Sequence, residues 1–233
     1  MALSARIGWW LPLTWARQMR YRRSPSVDYS RMRWYRDPTI IYRLTAGYIV
    51  PIILKPLARV VVDGLEHIPT TGPVIFAANH RDNLDGYLLM HVVPRMVHVA
   101  GRPDAFGTGV LCAMWRTLGV FPADGWGLRY ALTLLHDAHA VAIFPQAMIS
   151  GELGKASGAV GLLALRSGAP VVPVAIVGTD VVDTKWPFVK RTAISVRFGP
   201  PMTFTRSGQC PPRSLAVADE ILRCVGALLA DQE

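Results

Sequence analysis

Residues 74–89 of this 233-residue chain read Val-Ile-Phe-Ala-Ala-Asn-His-Arg-Asp-Asn-Leu-Asp-Gly-Tyr-Leu-Leu. The apolar run from Val74 to Ala78 is typical of a buried strand in a parallel sheet, because such strands are covered on both faces. Asp82 and Asn83 are residues that commonly begin helices, and apolar side chains follow them at helical spacing. The stretch therefore predicts a strand, a turn and a helix, with polar side chains at the ligand-binding edge of an open α/β sheet.

His80 and Asp85 are the two titratable side chains of this turn that point to chemistry. Five residues of continuous helix would place them about 140° apart, so they could not share a face. If His80 lies in the turn and Asp85 in the first helical turn, the carboxylate can accept from one imidazole nitrogen and leave the other as a base. The alternative is that His80 caps the helix and Asp85 lies on a solvated face.

The positive charge of the chain is concentrated near its start. The formal net charge is +9, and residues 1–60 hold eleven Lys/Arg against two Asp/Glu, whereas residues 61–233 hold fourteen of each. Residues 1–60 also contain Trp9, Trp10 and Trp34 among several tyrosines. Arginine mixed with indole and phenol rings favours the headgroup zone of an anionic membrane over nucleic acid.

Two membrane-adsorbing helices are predicted, over about 3–20 and 37–58. The apolar run of residues 44–54 contains Pro51 and, at eleven residues, is too short to cross about 30 Å of hydrocarbon. The predicted organisation is thus a membrane-associating helical segment over 1–58 and a catalytic domain over 59–233. The alternative is that these helices simply pack on the core.

The three cysteines have no metal-type spacing and form no disulfide framework, so the sequence predicts neither a zinc site nor another metal centre and favours a reducing cytosol. From residue 59 onward strands alternate with helices, which predicts an α/β fold with a mostly parallel central sheet flanked by helices. Pro173 suggests that its strand is an edge strand or carries a bulge. The strands are predicted at 60–62, 73–78, 96–100, 119–121, 140–144, 171–177 and 193–198, and the helices at 83–92, 106–117, 128–138, 159–166 and 214–230.

Four blocks in order give the chain a family resemblance. They are Asn79-His80 with Asp85, Gly119-Val120-Phe121-Pro122, Phe144-Pro145 followed by Ser150, and Val171-Val172-Pro173-Val174. With these blocks the chain resembles the bacterial 1-acylglycerol-3-phosphate acyltransferases, a branch of the glycerolipid acyltransferases that share an Asn-His-x-x-x-x-Asp block. The resemblance covers about residues 59–205.

The resemblance implies transfer of a fatty acyl group from an acyl thioester, of coenzyme A or acyl carrier protein, to a hydroxyl of a lysolipid such as 1-acylglycerol-3-phosphate. His80 would take the hydroxyl proton and Asp85 would orient the ring. The thioester is a co-substrate, and no cofactor is expected. The expected location is the cytoplasmic face of the cell membrane, as a peripheral or monotopic protein. The candidate substrate-binding residues are Asn79, Arg81, Arg102, Gln146, Ser150 and Lys155.

The departures from the family pattern concern the acceptor. The family's usual Glu-Gly-Thr-Arg is Gln146-Ala147-Met148-Ile149 here, so an arginine expected to grip the acceptor phosphate is missing. Arg102, Arg129 or Lys155 could replace it. A glycolipid or amino-lipid acceptor therefore stays open, as do a catalytically inactive lipid-binding homologue and a thioesterase-like hydrolase. Met90, Met114 and Trp115 are expected in the core or in the lining of an acyl tunnel.

Overall fold

A computed structural model describes residues 40–102, 115, 117–146, 157–182, 192–204 and 210–231. The predicted helix over 3–20 lies outside these residues. Most of the predicted helix over 106–117 does too, although Trp115 and Thr117 are helical. The division of the chain at residue 58 stays a prediction.

Within the described residues, seven strands form one sheet in the order β1-β7-β6-β2-β5-β3-β4. All neighbouring strands are parallel except β6 and β7, which are antiparallel. The predicted fold class, a mostly parallel sheet flanked by helices, is confirmed. The strands are β1 Ala58–Asp63, β2 Val74–Ala78, β3 Val97–Gly101, β4 Phe121–Pro122, β5 Ala140–Ile143, β6 Val171–Val177 and β7 Thr192–Phe198.

Strand β2, which the opening stretch of sequence predicts, lies at the centre of the sheet, and all five of its residues are completely buried. Its side chains alternate between two hydrophobic clusters, because successive residues of a strand point to opposite faces. Val74 and Phe76 join one cluster, and Ile75 and Ala77 join the other. The central strand therefore anchors both halves of the core.

The helices cover the two faces of the sheet. Tyr42 of α1 and Leu88 of α2 belong to the cluster on one face, whereas Tyr130 of α3, Val160 of α4 and Ile221 of α5 belong to the cluster on the other. The sheet is thus the middle layer of three. The helices are α1 Ile40–Leu57, α2 Leu84–Val92, α3 Gly125–His136, α4 Gly158–Ser167 and α5 Cys210–Ala230.

The predicted helix over about 37–58 is present as α1 and continues through Pro51, although its apolar stretch is longer than the eleven residues expected. A π turn over Thr45–Ile49 precedes the proline, and the Val50 N–H bonds to the Thr45 carbonyl. This register leaves the Ala46 carbonyl opposite Pro51, which has no N–H to donate. His91 of α2 satisfies that carbonyl, with its Nδ1 at 2.9 Å. Burial lowers the pKa of His91, which suits a neutral ring in this contact.

Pro173 lies in an interior strand, between β2 and β7, so the expectation of an edge strand was wrong. It lies opposite Ala77 of β2 and one residue before the first β6–β7 ladder pair, Val174 with Phe198. Its carbonyl accepts from the Gly199 N–H at 2.8 Å, beyond the end of β7. In a strand the N and the carbonyl of one residue face the same side. The N–H that Pro173 lacks would thus point beyond the end of the β6–β7 ladder, so no hydrogen bond of that ladder is lost.

The strand after Gly119 and the helix after it are both shifted from their predicted positions. Gly119 has φ 73° and belongs to the turn, so the strand is Phe121–Pro122. Helix α3 begins three residues earlier than predicted, because the Asp124 side chain accepts from the Gly127 N–H at 2.8 Å and caps it.

Candidate active site

Asn79 ends the central strand with its side chain. Its Nδ2 donates to the Ile176 carbonyl at 2.8 Å, and its Oδ1 accepts from the Ile176 N–H at 2.7 Å. The amide group thus continues the β2–β6 ladder after the backbone of β2 has turned away. Because the Asn79 side chain is buried and joined to β6, it positions the turn. Asn79 is not among the residues that line the neighbouring cavity, and its role in substrate binding stays a prediction.

His80 and Asp85 meet as the spacing predicted. Nδ1 of His80 lies 2.8 Å from Oδ2 of Asp85, and the Asp85 side chain is completely buried. The same oxygen accepts from the backbone N–H groups of Arg81, at 2.7 Å, and Asp82, at 2.9 Å. Since an ionised carboxylate can only accept, Nδ1 carries the proton and Nε2 is left as an acceptor. The pair therefore has the arrangement that a general base requires.

The turn that makes this contact possible is held by Asp82. Its Oδ1 accepts from the Leu84 N–H at 2.8 Å, and its carbonyl accepts from the Asp85 N–H at 3.1 Å. Asn83, the other predicted cap, makes no side-chain cap bond. Helix α2 therefore starts in a position that directs Asp85 back towards the histidine.

The chain segment after β5 fixes the histidine from its other side. The Phe144 ring stacks on the His80 imidazole, with centroids 4.1 Å apart and planes 20° apart. Oε1 of Gln146 accepts from the His80 backbone N–H at 3.2 Å. These contacts leave the ring little freedom to rotate, so Nε2 keeps one direction.

The histidine borders a cavity of about 770 Å³ at the carboxyl edge of the sheet. This volume is within the range of about 300–1,000 Å³ that ligand sites occupy. Burial raises the pKa of Tyr87 in the wall, so its hydroxyl stays neutral. The polar residues of the wall include His80, Arg102, Asp124, Gln146 and Ser157, and the apolar ones include Tyr87, Met90, Val99, Trp115, Val120 and Leu128.

The predicted site residues are thus divided by the structure. His80, Arg102 and Gln146 line the cavity. Arg81 does not line it, and its Nη1 lies 3.4 Å from Oδ2 of Asp180 in a partly exposed ion pair. Ser150 lies outside the described residues. Lys155, Met114 and Ile149 lie outside them too.

Other contributors to the site were not assigned a role from the sequence. The ring of Phe144 and the backbone of Ile176 contact residues that are far away along the chain. Met90 and Trp115 line the cavity, as expected for an acyl tunnel. Over the part of the chain that the structure describes, no three His, Cys, Asp or Glu residues are close enough to hold a metal ion.

A histidine held by a buried carboxylate and facing an apolar cavity at the edge of an α/β sheet defines a protein that can deprotonate a group on an apolar ligand. The family model described as Acyltransferase matches residues 59–177, slightly more than half of the chain. The chain belongs to this acyltransferase family.

Two similar proteins are named as acyltransferases of 1-acyl-sn-glycerol-3-phosphate. The chain is 25% identical over 138 residues to the chloroplastic 1-acyl-sn-glycerol-3-phosphate acyltransferases LPAT1 of Arabidopsis thaliana and BAT2 of Brassica napus. Each match covers 55% of this chain, but only 38% of LPAT1 and 40% of BAT2. The chain thus matches less than half the length of these relatives.

The fold is also that of a solved acyltransferase. The crystal structure of the 1-acyl-sn-glycerophosphate acyltransferase PlsC from Thermotoga maritima aligns with a TM-score of 0.56, over 86% of this chain and 88% of that chain. Sequence identity is 21%, so the likeness concerns the fold.

Proposed function

We propose that this protein transfers a fatty acyl group from an acyl thioester, of coenzyme A or acyl carrier protein, to a hydroxyl of a lysolipid, with 1-acylglycerol-3-phosphate as the first candidate acceptor. One observation carries the proposal. His80 is held through Nδ1 by the buried Asp85 at 2.8 Å, so its other ring nitrogen is available at the wall of an apolar cavity. Family membership and the two curated relatives support the same reaction.

In the proposed reaction His80 acts first as a base and then as an acid. Nε2 takes the proton of the acceptor hydroxyl while the hydroxyl oxygen forms a bond to the thioester carbonyl carbon. Asp85 stabilises the imidazolium that results. As the carbon–sulfur bond breaks, the imidazolium returns the proton to the thiolate, which leaves as a free thiol. General-base help of this kind is typically worth about 10²–10⁴-fold in rate, and no external cofactor enters the balance.

The acceptor headgroup is the less constrained part of the proposal. Among the described residues of the cavity wall, Arg102 is the one cation and Asp124 the one carboxylate. A single guanidinium can bind a phosphate bidentately, which supports a phosphate-bearing lysolipid. A glycolipid or amino-lipid acceptor remains the second candidate, since isoleucine stands at position 149 where the family usually has arginine.

The membrane surface is the proposed partner of α1. Within the described ranges, Ile40–Leu57 is the one helix that is long and apolar enough to cross a membrane, yet a third of it is buried against the protein. Tyr42, Ala46, Val50 and Leu54 form its inner face. A helix attached to the domain in this way would lie along the bilayer surface, in agreement with a peripheral or monotopic protein at the cytoplasmic face of the cell membrane.

A donor and acceptor panel tests the reaction. Free thiol release would be measured from palmitoyl-CoA and from an acyl carrier protein thioester, with 1-acylglycerol-3-phosphate, lysophosphatidylethanolamine, a glycolipid or no acceptor. Acceptor-stimulated release with a doubly acylated product supports transfer. Thiol release that does not depend on the acceptor would identify a hydrolase. No thiol release with any combination of donor and acceptor would contradict the proposed activity. A higher kcat/KM for either phosphate-bearing lysolipid than for the glycolipid supports a phosphate-bearing acceptor, and the reverse order would identify an acceptor without phosphate.

A further inference from the structure

Helix α3 presents an exposed aromatic ring close to the mouth of the cavity. Asp124, Gly125 and Leu128 line the cavity, and Trp126 lies between them with 42% of its surface exposed. A single exposed hydrophobic side chain is ordinary on a protein surface, so exposure alone does not assign a role to Trp126. Its position between residues that line the cavity places it where a ligand extending out of the cavity would contact it.

The indole of Trp126 is held rigidly. It stacks on the ring of Tyr130 with centroids 5.6 Å apart and planes only 5° apart. Tyr130 is buried and packs edge-on against Phe121 of β4, at 6.1 Å. A Cβ on Gly127 would overlap the Pro122 carbonyl oxygen, so the first turn of α3 lies directly on β4. The outer face of the indole is consequently a fixed platform.

A cation lies beside this platform. Arg129 is three residues after Trp126, so the two side chains are neighbours on the helix surface. The Arg129 side chain is exposed and has no ion-pair partner among the described residues. The nearest carboxylate along the chain, Asp124, is engaged in capping α3. An aromatic face with an adjacent guanidinium suits a nucleobase that carries phosphate.

The position of the platform relative to His80 sets the length of the ligand. His80 follows β2, and α3 follows β4, which is three strands away in the sheet. At about 4.8 Å per strand this separation is roughly 14 Å. In an acyl-CoA, the pantetheine arm separates the thioester carbonyl from the adenine nucleotide by a chain that can span such a distance.

The bilayer is the other surface that could cover an exposed tryptophan, but the fold argues against it. The apolar outer face of α1 belongs to the layer on one side of the sheet, whereas α3 packs on the other side. A membrane bound through α1 would therefore not lie over Trp126.

We infer that Trp126 and Arg129 form the binding platform for the adenine nucleotide of an acyl-CoA donor, with the indole stacked on the base and the guanidinium beside a phosphate. This inference rests on the proposed acyl transfer and selects coenzyme A over acyl carrier protein as its donor. Trp126 and Arg129 contribute to donor affinity and not to the chemical step.

Steady-state kinetics with a full and a truncated donor test the platform. Trp126→Ala should raise KM for palmitoyl-CoA about tenfold, the loss typical of one stacked base, and leave kcat unchanged. KM for palmitoyl-pantetheine, which lacks the nucleotide, should not change. Trp126→Phe, which keeps an aromatic face, should recover most of the affinity. Equal changes for both donors, or no change for either, would overturn the inference.

The arginine is tested against a matched surface arginine. Arg129→Ala should raise KM for palmitoyl-CoA several-fold in low salt and less in high salt, because exposed charges are screened. Arg223→Ala, an exposed arginine on α5, is the control and should change nothing. If wild-type protein prefers the carrier-protein thioester and Trp126→Ala affects only that donor, the ligand is a protein and the assignment to coenzyme A is wrong.

A binding measurement separates this inference from the proposed reaction. Calorimetric titration with adenosine 3′,5′-bisphosphate requires no turnover. Saturable binding that weakens about tenfold in Trp126→Ala supports the platform even if no acceptor is found. Undetectable binding to an otherwise active enzyme would reject the platform and leave the proposed acyl transfer standing. Loss of vesicle binding in Trp126→Ala, with nucleotide binding intact, would instead assign the tryptophan to the membrane.

Discussion

The side chain of Asn79 links two strands at the point where the turn that carries His80 begins. We predict that Asn79→Ala lowers the free energy of unfolding by about 2–3 kcal/mol, because the buried N–H and carbonyl of Ile176 both lose their partner. Activity should fall as well, since the turn that carries His80 is no longer tied to β6. Urea unfolding and kcat of the folded variant measure the two effects.

Asn83→Ala is the matched control for stability. Asn83 lies four residues further along and makes no side-chain cap bond. Its substitution should change the free energy of unfolding by less than about 0.5 kcal/mol. Equal losses in the two variants would show that the Asn79 bridge contributes nothing specific.

His98 makes stability depend on pH. Burial, with a smaller contribution from the charge of nearby His139, lowers the pKa of His98 from 6.5 to about 3. Between these values the unfolded chain binds a proton at this ring and the folded protein does not. The free energy of unfolding is therefore not reduced by His98 above pH 6.5. It decreases as the pH falls from 6.5 towards 3, by at most about 1.4 kcal/mol per pH unit. Urea unfolding from pH 4 to 7 should give a flatter profile for His98→Gln, whereas parallel profiles would be inconsistent with this assignment.

The contact between His80 and Asp85 could be predicted from the sequence because both residues lie in one turn. A strand signal followed by two helix-starting residues was enough to bring His80 and Asp85 together. The contacts that hold this turn in place could not be predicted in this way. Ile176 is 97 residues from Asn79, and Gln146 is 66 residues from His80, so these contacts depend on strand order. Strand order is set by packing of the whole sheet and leaves no local signal.

At the scale of one element, the start of α3 depends on a glycine. A Cβ on Gly127 would overlap the Pro122 carbonyl oxygen, which is backbone and cannot move aside, whereas a Cβ on Gly125 would meet nothing within 4 Å. We predict that Gly127→Ala destabilises the protein by about 1–3 kcal/mol, as overpacking usually does. Gly125→Ala on the same helix should be neutral or slightly stabilising. Thermal unfolding of both variants checks this, and equal melting temperatures would contradict the close packing of α3 on β4.

Two elements show where local reasoning about proline fails. Pro51 and Pro173 each lack the N–H that the interior of a helix or a sheet normally requires, and Pro173 was expected to mark an edge strand or a bulge. In the structure each lies where the donor is not required. A π turn and His91 compensate for Pro51, and the end of the β6–β7 ladder accommodates Pro173. The compensating groups come from other parts of the chain, so the sequence around each proline does not reveal them.

At the scale of the whole molecule, α1 presents one apolar face to the core and another to the outside. We predict that replacing Ile40 and Ile52 with glutamate reduces binding to anionic vesicles at least tenfold, because two charges replace side chains that are 74% and 68% exposed. Both positions lie on the outer face, so folding should be unaffected. Vesicle flotation and thermal unfolding provide the two readings.

Leu215→Glu is the control for this surface. Leu215 is also exposed, at 52%, but it belongs to α5 on the opposite side of the sheet. Vesicle binding should persist in this variant. A double variant of α1 that still binds vesicles as wild type does would exclude this face as the membrane contact.

The basic and aromatic composition of residues 1–60 indicates a membrane partner, but composition alone does not indicate which surface makes the contact. The burial of every fourth residue from Tyr42 to Leu54 identifies the inner face of α1, and the outer face follows from it. The remaining basic residues before residue 40 lie outside the described part of the chain, and their membrane role stays a prediction.

The most direct test of the account is the acceptor-dependent release of free thiol from palmitoyl-CoA by His80→Ala. We predict a fall of about 10²–10⁴-fold or more in kcat, because the proposed general base is removed. His67→Ala is the control, since the Nδ1 of His67 is hydrogen-bonded as well, to the Phe198 carbonyl at 2.8 Å, but His67 does not line the cavity. Its activity should stay near that of the wild type. A folded His80→Ala protein that transfers acyl groups at the wild-type rate would contradict the central claim.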